Sequence, residues 1–397
     1  MKITGVRSVL YEYELTRPIG DANKVSEGDV VSGMRRRADL AVFVSTDEGL
    51  EGVAVASSSA QSALQGVAAI VAGDDPRAVR GLWERMTASA FKWGNEGSVA
   101  TAIAAVDNAL WDLRAKIHGV PLWRELGATT RRVKAYASGL DMPLSDSEVR
   151  DYYAGMATKG ITAGKLKVGL DLDEDLRRLA IMQDALGGRA CRPTLLVDAN
   201  EYWSPKQAIR RMAAMEREFD IAWCEEPVRR WDYRGLRQVS RSIRAAVATG
   251  ENLKDISQFV PLLTHEAVDV VQVNPNMAGI TACLRIADLA FAFDRPVALM
   301  NSAGRYGAHL AAALPHHTMM EVLDVGRDAV FSRYDSVIED GWIVLGDAPG
   351  SGITFDAEAL ARHRVERPEQ ATARLAGGRG HLAAVREGPT RIVRGAE

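Results

Sequence analysis

The chain has few of the features that mark secreted, membrane-bound or nucleic-acid-binding proteins. Its 397 residues include only three cysteines, Cys191, Cys224 and Cys283, which lie far apart in apolar surroundings, so we expect reduced core thiols and no disulfide framework. Acidic and basic residues nearly balance at a net charge of −3, which gives no support to nucleic acid or membrane binding. No apolar run approaches the roughly 20 residues of a membrane span, and the alternating start lacks the apolar block of a signal peptide. We therefore expect a cytoplasmic enzyme.

The length of 397 residues suffices for two domains, and the 47% of hydrophobic residues can bury a large core. Residues 1–130 begin with alternating, β-type runs joined by a turn at 47–49, and continue with a helical pattern that stops at Gly119. This order predicts an N-terminal α+β domain.

From residue 131 the chain alternates between short apolar runs and amphipathic segments. The runs predict eight strands, at 133–139, 163–169, 194–200, 221–227, 246–252, 268–274, 296–302 and 319–324. Eight parallel strands with helices between them predict a (β/α) barrel over 131–340, with its active site at the carboxyl ends of the strands. The stretch 341–367 is expected to return to the N-terminal domain, and 368–397, rich in Ala, Gly and Arg, is expected to be a loose tail.

Three acidic residues follow apolar runs at intervals of one β/α unit. They are Asp198 in LLVDAN, Glu225 in AWCEEP and Glu251 in VATGEN, 27 and 26 residues apart. At the ends of neighbouring barrel strands these carboxylates would converge, and an all-oxygen cluster favours a hard cation such as Mg²⁺. The alternative is that each acid only caps the next helix, but capping gives no reason for the matched spacing.

Two lysines, Lys165 and Lys167, are two residues apart on the second predicted strand, so their side chains point the same way. Beside a metal and a second cation, a lysine has a lowered pKa and can act as a base. The alternative is an exposed Lys-x-Lys pair on an edge strand.

Other polar residues of these strands are candidates for supporting roles. Asn200 shares the face of Asp198 and either donates to a substrate oxygen or orients Asp198. Glu226 and Asn252 follow a predicted ligand directly, so they are expected to face away from the centre. Glu321 is an acid within an apolar run, which suits either a protonated hydrogen-bond donor or a buried ion pair.

Together these motifs resemble the enolase superfamily, and within it the mandelate racemase subgroup. The resemblance covers nearly all of residues 1–365 and rests on the order KxK, DAN, EEP, GEN, VQVNPNMAGIT, a closing Glu and PGSGI. It implies a (β/α)7β-type TIM barrel with an N-terminal α+β capping domain, and a homo-oligomer. It also implies one Mg²⁺ per subunit held by Asp198, Glu225 and Glu251, and abstraction of the proton α to a carboxylate to give an enediolate.

The resemblance also implies roles for the remaining polar residues of the strands. Lys167 corresponds to the base. Lys165 would contact the substrate carboxylate and lower the pKa of Lys167. Glu321 matches the acid that hydrogen-bonds the enediolate.

The chain departs from the subgroup on the sixth and seventh strands. The subgroup usually has an Asp–His pair there that serves as the base on the opposite face of the substrate, and the aligned positions here are Asn274 and Asn301. An amide cannot accept a proton at neutral pH, so we expect both asparagines to contact the substrate, with Asn301 positioning a departing hydroxide. Because β-elimination of water needs only one base, we expect a dehydratase of an acid sugar or a related β-hydroxy acid, with Lys167 as that base. The alternatives are a racemase, epimerase or cycloisomerase, and a homologue that binds Mg²⁺ and a carboxylate without turnover.

Polar stretches elsewhere are candidates for contacting the rest of a small carboxylate substrate. Asp21 and Asn23 lie in one such stretch, Trp93 in a second, and Arg305 and Tyr306 follow the seventh strand. Such residues suit a hydroxylated substrate. They are equally compatible with a solvated surface, and Arg305 with a structural ion pair.

Overall fold

The N-terminal part of the chain folds as a three-stranded antiparallel sheet. In the computed structural model, the residues described are 1–23, 33–92, 94–187, 192–300, 306–323 and 331–365. The strands are β1 (Ile3–Ile19), β2 (Met34–Thr46) and β3 (Glu51–Ser57), in that order across the sheet. The predicted turn joins β2 to β3, and its Gly49 adopts a φ of 82°, a left-handed value that favours glycine. Thr46 closes this turn by donating its hydroxyl to the carbonyl of Leu50 at 2.9 Å.

Four helices follow the sheet, and the first and third of them pack against its strands. They are α1 (Gln61–Val71), α2 (Val79–Ser89), α3 (Gly97–Ile117) and α4 (Leu122–Glu125), after a 3-10 turn at Ser58–Ala60. The long α3 packs against β3 and is buried along most of its length. Gly52 of β3 permits this packing, because a Cβ there would lie 2.2 Å from the backbone oxygen of Ala109. We call the sheet and the helices of residues 1–127 the cap.

A closed barrel of eight parallel strands forms the larger part of the chain, because its last strand pairs with its first. The strands are β4 (Arg132–Ser138), β5 (Ala163–Lys167), β6 (Thr194–Asp198), β7 (Ile221–Glu225), β8 (Ala246–Thr249), β9 (Val270–Val273), β10 (Val297–Leu299) and β11 (His317–Val322). The helices between them are α5 (Asp146–Ala157), α6 (Leu172–Ala185), α7 (Pro205–Glu218), α8 (Tyr233–Ser242), α9 (Ile256–Thr264), α10 (Pro275–Ala278), α11 (Ile280–Ala292) and α12 (Tyr306–Ala313). The predicted barrel with an N-terminal cap is therefore confirmed.

Local sequence signals begin several of the barrel helices. Ser145 and Glu148 form a capping box at the start of α5, and Ser204 and Gln207 form another at α7, where Pro205 takes the first helical position. None of the helices in the described ranges is long and apolar enough to cross a membrane.

The segment after the barrel touches both parts of the molecule. Its elements are β12 (Ser332–Tyr334), β13 (Ser336–Glu339), β14 (Trp342–Leu345), β15 (Ile353–Phe355) and α13 (Ala357–Arg362). Strand β14 pairs with β4, and beyond it Gly350 accepts a hydrogen bond from the backbone of Leu122 in the cap. The domain boundaries at 130, 340 and 367 remain predictions, and the tail 368–397 lies outside the described residues. Cys224 and Cys283 are buried free thiols, and Cys191 is not among the described residues.

The cap is fixed to the barrel where α3 meets the start of α11, a contact that we call the α3–α11 seam. Asp107 accepts hydrogen bonds from the backbone N–H and the hydroxyl of Thr281, at 2.8 and 2.6 Å. Asn108 accepts from the N–H of Ile280 at 3.0 Å, and the Trp111 indole donates to the Thr281 hydroxyl at 2.9 Å. Gly279 precedes the helix with a φ of 83°, and a Cβ there would lie 2.7 Å from Asp107. Side chains of the cap therefore satisfy the first N–H groups of a barrel helix.

Candidate active site

A cavity of about 390 Å³ lies at the carboxyl ends of the barrel strands. Its wall is predominantly polar and includes residues of both the cap and the barrel. The lining residues are Asp21, Asn23, Leu140, Lys167, Asn200, Glu201, Glu226, Arg229, Arg230, Glu251, Asn252, Asn274, Met300, Glu321 and Leu323.

Strand pairing brings the three predicted metal-binding acids to adjacent positions. Asp198 and Glu225 are the last residues of their strands, and they are paired across β6 and β7. Both are fully buried. Glu251 lies two residues beyond β8, after Gly250, whose φ of 127° and close approach to the Gln272 backbone leave no room for a Cβ. The sequence Gly-Glu-Asn therefore turns the third acid toward the cavity.

The two lysines of β5 lie between these acids. The Lys165 Nζ is 2.6 Å from Glu225, 3.0 Å from Glu321 and 3.4 Å from Asp198, and the Lys167 Nζ donates to Asp198. Both side chains are buried, which excludes the alternative of an exposed edge strand. An ammonium group in such a place needs a carboxylate partner, and each lysine has one.

The pKa of Lys167 depends on a balance between burial, the neighbouring acids and the second lysine. Burial lowers the pKa, but the attraction of Asp198, helped by Glu225 and Glu251, outweighs burial and holds it above the ordinary lysine value. Lys165 acts in the expected direction, since its positive charge lowers the pKa of Lys167. The expectation of a lowered pKa includes a metal cation beside Lys167, so it stays a prediction; among the protein groups alone, the carboxylates outweigh the second cation.

Glu321 takes the ion-pair role that was one of its two expected roles. Burial raises its pKa, but Lys165 and Lys167 outweigh burial and hold the pKa below the ordinary value. Its carboxyl group is therefore ionised beside Lys165, and a protonated donor is not what these contacts favour.

The carboxylates carry more negative charge than the two lysines balance. Burial raises the pKa of Glu225 well above its ordinary value, and the neighbouring Asp198 raises it further. Burial also raises the pKa of Glu251. In Asp198 burial is outweighed by Lys167 and Lys165, so its pKa is lowered.

This acidic set fits a hard divalent cation. In the part of the chain that the structure describes, no three His, Cys, Asp or Glu side chains form a ready-made metal centre. The acids instead contact the lysine ammonium groups. The donors are all oxygen and their negative charge is in excess, which are the properties that Mg²⁺ requires of a site.

Further groups orient the acids and the lysine. The Gln272 Nε2 donates to Glu225 at 2.6 Å, and the backbone N–H of Asn200 donates to Asp198 at 2.8 Å. The Asp141 carboxylate accepts the backbone N–H of Lys167 at 3.1 Å. Gln272 lies within a predicted strand and Asp141 beyond another, and sequence reasoning missed the role of both.

Glu226 and Asn252 were expected to face away from the centre, and this expectation is wrong. Both line the cavity, where the Asn252 amide donates to Glu226 at 2.9 Å. The reason is that β7 ends at Glu225 and Glu226 has a φ of 41°, so the alternation of a strand no longer applies. Asn200 also follows the end of its strand, with a φ of 45°, and it lines the cavity as expected.

The remaining predicted contacts divide into three groups. Asn274 lines the cavity and caps α10 by accepting the N–H of Asn276 at 3.0 Å. Tyr306 does not line the cavity, since its buried hydroxyl donates to the backbone of Val55 in the cap. Trp93, Asn301 and Arg305 lie outside the described residues. Sequence reasoning also missed three charged residues of the wall, which are Glu201, Arg229 and Arg230.

A closed parallel barrel with an antiparallel cap, and acids and lysines at the strand ends, defines an α/β-barrel enzyme of the enolase type. The chain belongs to the mandelate racemase/muconate lactonizing enzyme family of this superfamily. Its residues 148–359 match the enolase C-terminal domain-like family, and residues 30–127 match the mandelate racemase/muconate lactonizing enzyme N-terminal domain. The resemblance noted from the motifs is thus confirmed.

Characterised relatives act on sugar acids. L-Talarate/galactarate dehydratase of Salmonella typhimurium is 31% identical over 85% of this chain and 86% of its own length. The 3,6-anhydro-alpha-L-galactonate cycloisomerase of Streptomyces coelicolor is 32% identical over 73% of this chain and 79% of its own. A solved structure of the Salmonella dehydratase, liganded with Mg and L-lyxarohydroxamate, superimposes with a TM-score of 0.82 at 28% identity, covering 92% of this chain and 93% of that one.

Proposed function

We propose that this protein is a Mg²⁺-dependent dehydratase of a sugar acid. The observation that carries the proposal is the position of Lys167, whose ammonium group reaches both Asp198 and the cavity. Similarity to a talarate/galactarate dehydratase supports the same class of substrate.

The acids and lysines would divide the work of proton abstraction. Mg²⁺ held by Asp198, Glu225 and Glu251 would supply positive charge to the substrate carboxylate and balance the acids that otherwise hold Lys167 in its charged form. The neutral Lys167 Nζ would then accept the proton from the α-carbon. Lys165, fixed by Glu225 and Glu321, would keep the pKa of Lys167 from rising and stabilise the enediolate charge.

Elimination would proceed on the same face. The electron pair of the broken C–H bond forms the C–C double bond as the β-hydroxyl leaves, and the Lys167 ammonium returns its proton to the hydroxide as water. The enol then tautomerises to a 2-keto acid, so that the net change is loss of one water. Asn274 supports this one-sided route, because its Oδ1 already accepts a backbone N–H and an amide does not accept a proton at neutral pH.

Cycloisomerisation is the second candidate, because one relative is a cycloisomerase. It would begin with the same proton abstraction by Lys167. The two candidates differ in the product, since a cycloisomerase releases an isomer of its substrate and a dehydratase releases a keto acid.

NMR in D₂O with Mg²⁺ would test the proposal, using galactarate, L-talarate, glucarate, arabinonate and galactonate as substrates. We expect a 2-keto acid from at least one of them, and no product after EDTA treatment. Lys167→Met should lower kcat/KM by at least about 10³-fold, because the base is lost. The exposed Lys134 provides the matched control, and Lys134→Met should keep full activity.

Two results would contradict the dehydratase. Isomer formation or α-deuterium exchange without elimination would favour the second candidate. Binding of acids with neither exchange nor product would indicate a homologue that does not turn them over.

A further inference from the structure

Two neighbouring arginines of the cavity wall are held very differently. The Arg230 Nε donates to Glu201 at 2.5 Å and its Nη1 donates to the carbonyl of Asn252 at 3.1 Å. The guanidinium of Arg229 donates no hydrogen bond to another described residue. Its nearest acidic oxygen is on Glu201 at 3.6 Å, beyond good hydrogen-bond distance. Arg230 is thus held by two hydrogen bonds, whereas Arg229, which also lines the cavity, has the longer ion pair with Glu201 and a contact with the Trp231 ring, 5.8 Å from the ring centroid.

The ion pairing at this part of the wall also favours an anion at Arg229. Arg229 and Arg230 share the single carboxylate of Glu201, which lies 2.5 Å from Arg230 and 3.6 Å from Arg229, so the charge of Arg229 is the less closely paired of the two. Two other acids line the cavity nearby, where Glu226 accepts from the Asn252 amide and Asp21 accepts from the backbone of Asn23 at 2.9 Å.

Arg229 also lies closer to solvent than the reaction centre does. Its side chain is 23% exposed, against 4% for Lys167 and 0% for Asp198. A ligand whose first carboxylate is held by the buried lysines and the proposed metal would have its other end nearer to solvent, as Arg229 is. Asn200 also lines the cavity, and its Oδ1 is buried without a hydrogen-bond partner among the described residues, which suits the hydroxyl of a polyol.

We propose that Arg229 binds the second carboxylate of a dicarboxylic sugar acid, so that the enzyme prefers aldarates to aldonates. This inference rests on the proposed function and names its substrate class. A carboxylate matches the two-pronged geometry of a guanidinium and neutralises it, whereas the terminal hydroxymethyl group of an aldonate does neither.

Matched pairs of acids would test the inference. Galactarate against galactonate, and glucarate against gluconate, differ only at the terminal carbon. We expect wild-type kcat/KM to favour the diacid, and Arg229→Gln to lower kcat/KM for the diacid by about 10- to 100-fold while changing that for the monoacid little. Arg237→Gln is the control, because Arg237 is an exposed arginine on α8 outside the cavity, and it should change neither value.

An equal loss for both acids in Arg229→Gln, or a wild-type preference for monoacids, would overturn the inference. Calorimetric binding to Lys167→Met separates it from the proposed function. If the wild type turns over none of the acids, the proposed function fails. If Lys167→Met binds diacids more tightly than monoacids, and Lys167→Met/Arg229→Gln does not, the Arg229 site is still supported. Equal binding of diacids and monoacids to Lys167→Met would contradict it.

Discussion

Two regions of this molecule bury acidic groups, and their surroundings differ. In the α3–α11 seam, burial raises the pKa of Asp107 to about 7, and the hydrogen bonds from Thr281 and Ile280 work against that rise. In the cavity, burial raises the pKa of Glu226 well above its ordinary value, and the charges of Glu251, Glu201 and Asp198 raise it further. Neighbours therefore stabilise the charge of Asp107 and destabilise that of Glu226.

Unpaired polar atoms follow the same division. Around the cavity the Asn200 Oδ1, the Gln272 Oε1 and the Thr249 Oγ1 are buried without a partner among the described residues. In the seam both carboxylate oxygens of Asp107 accept a hydrogen bond. The seam is thus organised for stability, whereas the region of the cavity leaves polar atoms unpaired, and among these three residues Asn200 lines the cavity, where a ligand could complete its interactions.

The largest effect on stability is expected in the seam. Asp107→Ala removes the acceptor of two buried donors of Thr281, so we expect the free energy of unfolding to fall by about 3 kcal/mol. Urea denaturation followed by circular dichroism would measure this change. Asp288 is an exposed control acid on the same barrel helix, and Asp288→Ala should have little effect. A loss below about 1 kcal/mol for Asp107→Ala would remove the distinction between the two regions.

A second contact between cap and barrel should make stability depend on pH. His309 of α12 accepts the backbone N–H of Trp123 in the cap at its Nδ1, and its Nε2 lies 3.1 Å from the carbonyl of Ser351. Burial lowers the pKa of His309 from 6.5 to about 4. Because the unfolded state binds the proton more readily, the stabilisation is complete above pH 6.5 and is lost as the pH falls through 4.

The variant His309→Asn would isolate this contribution. We expect the wild type to exceed it in free energy of unfolding by about 2 kcal/mol at pH 7.5, and the difference to shrink toward pH 4. Urea titrations of both proteins between pH 4 and 8 would measure the difference. A difference that stays constant with pH would mean that a protonated imidazole fits this contact.

The sequence predicts the barrel and the principal acids and lysines because both depend on short-range patterns. Strands and helices alternate at regular intervals, and Lys165 and Lys167 share a face because they lie within a strand. The pattern fails where a strand has ended, as at Glu226. Arg229 lies in a loop four residues after Glu225, where no periodicity predicts its direction. The pair of arginines that follows EEP and Val228 was the available signal, and only the geometry shows that Arg230 donates to Glu201 at 2.5 Å whereas Arg229 stays 3.6 Å from it.

The smallest effect, and the most direct comparison, comes from neutralising the acid on the cavity side. Glu226→Gln keeps the Oε1 that accepts from Asn252 but removes a charge that Glu251, Glu201 and Asp198 repel. We therefore expect the free energy of unfolding at pH 7 to rise by about 1 kcal/mol without added metal. Asp107→Asn is the matched change in the seam and should lower it, because one acceptor of the Thr281 donors becomes a donor. Urea denaturation of both variants would measure the pair of signs. If both variants are destabilised, the neighbours of Glu226 must stabilise its negative charge in the native state. The contrast between the seam and the cavity would then be wrong.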